Sequence, residues 1–256
     1  MSAARLLLFP LLLLLLLPGC AGNGRVEEVD RAARLNVQLG IAYLRKGDYA
    51  LAKSKLERAL RQDPEYPMAH VASAILYDRI DQPDKAREHY LRALALDSED
   101  ASIRNNYGSF LCRRGEWEEA RQAYEEAAAN RLYKTPEKPL TNAGLCALRY
   151  DTPGRAEEYF RRALEANPGF APALLAMARI TFADRRWLPA RAYLERLAEV
   201  RPATAETLWM RILTERELGN LDEASSLALL LKSRFPDAAE TRRLEEMEAD
   251  ERAGNR

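Results

Sequence analysis

The apolar positions divide the chain into two unlike parts. Residues Leu6 to Leu17 are twelve consecutive positions holding ten Leu, one Phe and one Pro. From about residue 33 onward, small and apolar residues recur at helical spacing in short amphipathic stretches separated by turn residues. Aligned on Gly40, Tyr43, Ala52, Ala59 and Pro64, a step of 34 residues gives Ala74, Tyr77, Ala86, Ala93 and Ser98. The next step gives Gly108, Leu111, Ala120, Ala127 and Leu132. After two inserted residues the series resumes with Gly144, Ala147, Ala156, Ala163 and Pro168. It continues through Ala178, Thr181, Ala190, Leu197 and Pro202 to Ile212, Glu215, Ala224, Leu231 and Pro236. A fixed period of this length marks stacked supersecondary units, none of which buries its apolar face alone.

Each unit has a physical logic. Small residues at its eighth and twentieth positions (Gly40 and Ala52, Ala74 and Ala86, Gly108 and Ala120, Gly144 and Ala156) let two helices, A and B, approach closely. Large residues at the twenty-fourth (Leu56, Tyr90, Tyr124, Phe160, Leu194) fill the space beside them. The A–B turns fall at Gly47-Asp48, Asp81-Gln82-Pro83, Gly115-Glu116, Thr152-Pro153-Gly154 and Gly219-Asn220. Prolines follow several B helices, where they cannot continue the helix. This is the tetratricopeptide (TPR) pattern. It predicts an all-α solenoid of six helix–turn–helix repeats at 33–66, 67–100, 101–134, 137–170, 171–204 and 205–238, forming a right-handed superhelix with a concave groove. The sixth repeat is atypical, as a terminal repeat facing solvent can be. Residues 239–256 read as a short capping helix that frays before Gly254, with a tail.

The leucine run is too short to span ~30 Å of hydrocarbon and has the form of an export signal over 1–19. It ends in Leu17-Pro18-Gly19-Cys20, which resembles a bacterial lipobox, with Pro18 departing from the usual residue. That resemblance implies a covalent lipid on Cys20 as the membrane anchor, palmitate labelling being its test. Ala21, rather than Asp, after the cysteine resembles the outer-membrane sorting pattern, placing the protein at the periplasmic face. Residues 20–32 read as a lipidated, flexible tether.

Charge narrows the function classes. Lys+Arg and Asp+Glu each number 39, so the chain is formally neutral. That argues against nucleic acid as a partner, because binding there is largely phosphate neutralisation. With two histidines and three cysteines there is little material for a metal centre or a His-dependent active site. His70 and His89 read as structural. No catalytic constellation or phosphate loop is visible, so the expectation is a non-enzyme with no cofactor and no small-molecule substrate. In an oxidising compartment Cys112 and Cys146 form either a disulfide across adjacent A helices or two buried thiols.

In a TPR array, positions 2, 5, 9, 12 and 13 of helix A face the groove. Repeats 1 and 2 then present Val37, Ile41, Leu44, Met68, Val71 and Ile75, with Asp78. Six apolar groove positions point to a partner protein, unless a neighbouring helix or the tether covers them. Position 13 carries Arg45, Arg79, Arg113 and Arg149, a ladder suited to carboxylates unless each arginine pairs with a local acid. Leu175, Phe182 and Trp209 form a second, weaker patch.

Four stretches go beyond packing requirements: Asn105-Asn106-Tyr107-Gly108-Ser109-Phe110-Leu111-Cys112, Tyr133-Lys134-Thr135-Pro136, Asn142-Ala143-Gly144-Leu145-Cys146 and Arg234-Phe235-Pro236-Asp237. With the lipobox, six repeats and a cysteine pair, the chain resembles the PilF/PilW family of outer-membrane lipoproteins for type IV pilus biogenesis. The resemblance implies a pilotin that helps secretin subunits reach the outer membrane or assemble there. The alternatives are a TPR lipoprotein adaptor for peptidoglycan enzymes or β-barrel assembly, a soluble periplasmic chaperone, and an envelope enzyme, for which the repeats leave no room.

Overall fold

A computed structural model of the chain describes residues 22–150 and 153–254. Among these the chain forms thirteen α-helices and no strand. The expected export signal and Cys20 lie outside the described residues. The six A helices are α1 (Gly22–Lys46), α3 (Pro67–Arg79), α5 (Ala101–Arg114), α7 (Glu137–Arg149), α9 (Ala171–Ala183) and α11 (Ala205–Glu217). Their B partners are α2 (Tyr49–Gln62), α4 (Pro83–Leu96), α6 (Trp117–Ala129), α8 (Pro153–Ala166), α10 (Trp187–Val200) and α12 (Leu221–Arg234). α13 (Ala239–Gly254) follows.

The two ends depart from expectation. The segment from Gly22 on is helix rather than a flexible tether, because its Glu, Ala and Arg residues favour helix and continue the first A helix backwards. α13 does not fray before Gly254 but includes it. It docks through Leu244, 1% exposed, against Leu208, Ile212 and Leu231, so it closes the end of the array.

Within a repeat the A and B helices meet at the small positions. A Cβ on Gly40 would lie 2.7 Å from Leu56, on Gly108 2.9 Å from Tyr124, and on Gly144 2.6 Å from Phe160. The glycines are therefore what lets each large B-helix side chain seat against helix A. The A–B turns need a left-handed residue, supplied by Gly47, Gly115 and Gly219 and, at some strain, by Asp81 and Arg185.

Between repeats, consecutive A helices from α1 to α9 pack directly on one another. Consecutive B helices do not pack to a comparable extent among the described residues; long side chains bridge that side instead. Arg162 donates two hydrogen bonds to Glu125 at 2.9 Å, and Arg186 pairs with Glu157 at 2.7 Å. The A side is thus the shorter, inner arc of the stack. One apolar core runs through repeats 2 to 5, from Val71 to Leu197.

Candidate partner-binding site

The inner face is built from the A helices and from what each leaves uncovered by its neighbour. Val37 and Val71 were expected to line it, yet they are buried, at 3% and 2% exposure. The cause is the A–A packing: α3 closes over Val37, and α5 over Val71, so both belong to the core. Ile41 and Leu44 are partly buried against the first-repeat core and Ile75 against the central one, while Met68 is 36% exposed. The apolar stripe thus narrows to these four. Two leucines that the repeat-1 and repeat-2 reading missed extend it: Leu145 and Leu148 of α7, 50% and 39% exposed at groove positions. The signal was there in the register, at positions 9 and 12 of the fourth repeat. The second patch is taken up within the fold: Phe182 meets Trp187 edge-on, Leu175 packs on the core, and Trp209 on the terminal cluster.

The arginine ladder divides. Arg113 is held by Asp78, its Nε and Nη2 donating to Oδ2 at 2.9 and 2.7 Å. Arg45, Arg79 and Arg149 are exposed and have no acid partner among the described residues. Arg79, Arg113, Arg114 and Arg149 surround an open concavity of about 550 Å³ with Ile75, Asp78, Asn106 and Ser109. Its buried Tyr90 keeps its phenol protonated far above the ordinary range, because burial outweighs the pull of Arg113. Ser109 is fixed at the floor: its hydroxyl donates to the Asn105 carbonyl and accepts from Tyr124.

Beneath this face three connections join α5 to α7 and to the residue that follows it. Cys112 and Cys146 are bonded, with Cα atoms 6.0 Å apart. Asn142 Nδ2 donates to Asn105 Oδ1 at 2.9 Å, and the Tyr150 hydroxyl donates to the Cys112 carbonyl at 2.7 Å. Asn105, Cys112, Asn142 and Cys146 of the Asn-Asn-Tyr-Gly-Ser-Phe-Leu-Cys and Asn-Ala-Gly-Leu-Cys stretches thus staple repeats 3 and 4 across the two-residue insertion. His70 and His89 are structural partners, their Nδ1 atoms 3.0 Å apart, with His70 Nε2 3.0 Å from the Pro64 carbonyl. No group of three or more metal-ligating side chains occurs among the described residues.

Comparison with known proteins agrees with this architecture. The tetratricopeptide repeat family matches residues 43–92 and 71–133. The type IV pilus assembly protein PilF of Pseudomonas aeruginosa is 34% identical over 230 residues, covering 88% of this chain and 91% of that protein. The solved Pseudomonas aeruginosa PilF structure superposes with a TM-score of 0.69, covering 86% of this chain and 99% of that one. The solved structure of PilW, described as a widely conserved type IV pilus biogenesis factor, has a TM-score of 0.67 at 31% identity, covering 83% and 97%.

Proposed function

The chain belongs to the PilF/PilW family of TPR proteins for type IV pilus biogenesis, and on that footing we propose that it is a lipid-anchored pilotin for the pilus secretin. In this reading the lipid on Cys20 carries the protein to the inner leaflet of the outer membrane, where two or three acyl chains hold it almost permanently. The inner face of the array holds a segment of a secretin subunit, raises its local concentration at that membrane and so favours the multimeric ring. The observation that carries the proposal is the run of incompletely buried apolar side chains on the A helices α1 and α3: the partly buried Ile41, Leu44 and Ile75 and the exposed Met68. An apolar strip on the inner face of a helical repeat array is the kind of surface that accepts a partner segment.

The test is made in cells lacking their own copy, by following secretin multimers in outer-membrane fractions. The wild-type chain is expected to restore them. Cys20→Ser is expected to leave secretin outside the outer membrane. Leu44→Asp with Met68→Asp, checked for unchanged helicity, is expected to abolish co-purification with secretin. Secretin recovered as with wild type by the Leu44→Asp/Met68→Asp chain would overturn the groove assignment.

A further inference from the structure

Several arginines of this chain are paired with glutamates of a neighbouring repeat. Arg87 donates to Glu116, Arg162 to Glu125, Arg179 to Glu206, Arg186 to Glu157 and Arg191 to Glu215. Arg79 and Arg149 have no acid partner among the described residues, and they stand together at the rim of one concavity. Arg113 and Arg114 line the same concavity. Its one carboxylate, Asp78, is already committed to Arg113. The Asn106 amide, also in the lining, has no hydrogen-bond partner among the described residues. Arg113 is paired with Asp78, and Arg114 lies 3.7 Å from Asp81, so Arg79 and Arg149 carry the uncompensated positive charge, within a recess that focuses it. Guanidinium groups match carboxylates in geometry as well as charge. Leu145 lies four residues before Arg149, on the same face of α7, with Leu148 three residues after Leu145, and both leucines are exposed.

We propose that the inner face of repeats 2 to 4 is a docking site for an acidic, leucine-bearing segment of a partner protein. Carboxylates of that segment meet Arg79 and Arg149, and its apolar side chains lie on Leu145 and Leu148. The Cys112–Cys146 bond beneath holds α5 and α7 in place, so the site is formed before the segment arrives. The proposal rests on the reading of the inner face as the partner-binding side, and it adds a second subsite of different chemistry from the apolar strip of repeats 1 and 2.

The protein purified from membranes in a nonionic detergent is titrated into a fluorescein-labelled peptide alternating glutamate and leucine, and anisotropy is followed. Binding is expected, falling by about tenfold or more with Arg79→Ala plus Arg149→Ala, since charge-assisted contacts are lost. Leu145→Ser with Leu148→Ser is expected to weaken it several-fold, and Arg58→Ala, at an exposed position on the B helix α2, to leave it unchanged. Equal binding of a peptide with lysine for glutamate, or of the wild-type peptide by the double arginine variant, would overturn the proposal. If the wild-type chain ignores the peptide yet restores secretin multimers, this inference falls alone. If it binds the peptide through Arg79 and Arg149 but recruits no secretin, the site stands and the pilotin reading falls.

Discussion

Glu215 occupies a position where the other repeats carry Tyr, Leu, Ala or Thr, and in the sequence it looks like decay of the pattern. In the fold it is 2% exposed and fully engaged. Arg191 donates to it from Nε at 2.8 Å and from Nη2 at 2.5 Å, and Asn220 donates at 2.8 Å. Burial by itself would push its carboxyl up, but the hydrogen bonds from Arg191 and Asn220 outweigh that and hold it below the ordinary value of 4.5. The residue was illegible as a structural element because its partners come from α10 and from the following turn. Glu215→Ala removes the acceptor and leaves Arg191 and Asn220 without it, so unfolding in urea should show a loss of about 2 kcal/mol. The pH dependence has two windows. Glu125, Glu157, Glu206 and Glu215 are all held below 4.5, so the stability they contribute is present above that pH and is lost as pH falls below it. His89 is held below 6.5, first by burial and then by His70, so its contribution is present above 6.5 and is lost on acidification through its folded pKa. Melting temperature recorded from pH 7.5 to 3 should therefore fall in an upper step and a lower step. His89→Gln should remove the upper one, and an unchanged upper step would assign it elsewhere.

At the scale of the helix pair, nearly everything was legible, because the period encodes a local contact. Position 8 and position 24 lie sixteen residues apart on adjoining helices, so a small residue on one and a large one on the other declare their own packing. The groove was less legible, because exposure at position 5 is decided by the next repeat: Val37 and Val71 look identical in pattern to Ile41 and Ile75, and differ only in being covered by the following A helix. The helical start of α1 at Gly22 was missed for a related reason, since the repeat signature begins later and says nothing about residues before it. The glycine contacts give a sharp prediction. In Gly144→Ala the new Cβ lies 2.6 Å from the Phe160 ring, which is itself fully buried and has nowhere to turn. The substitution should raise helix propensity yet lower stability by about 1 to 3 kcal/mol, through overpacking. Chemical denaturation decides the sign: a stabilised Gly144→Ala chain would mean that α7 and α8 separate without cost.

Across the whole molecule, a repeat array is a chain of nearest-neighbour interfaces, and its weakest interface sets how it comes apart. At the junction of repeats 3 and 4 two extra residues lengthen the connection between α6 and α7, yet among the described residues its helices pack more extensively than those of any other junction. That junction is also where the fold concentrates its cross-links. The disulfide spans a sequence separation of 34, one whole period, but because of the insertion it joins position 12 of one A helix to position 10 of the next. The Asn142–Asn105 and Tyr150–Cys112 hydrogen bonds flank it. The sequence left bridge and free thiols both open, since spacing alone does not say which way two helices turn their side chains. Closing a loop of this length is worth about 4 kcal/mol through the unfolded chain. For a domain of this size that is a melting-temperature drop of roughly 8 to 16 °C when Cys112→Ala and Cys146→Ala are combined. The core from Val71 to Leu197 runs straight through the junction, so the transition should stay single even without the bond. Calorimetry of the double variant separates the possibilities. One shifted transition means that the bond reinforces a continuous core. Two transitions would mean that it holds together halves which otherwise unfold apart, and the peptide site proposed for repeats 2 to 4 would then loosen with it.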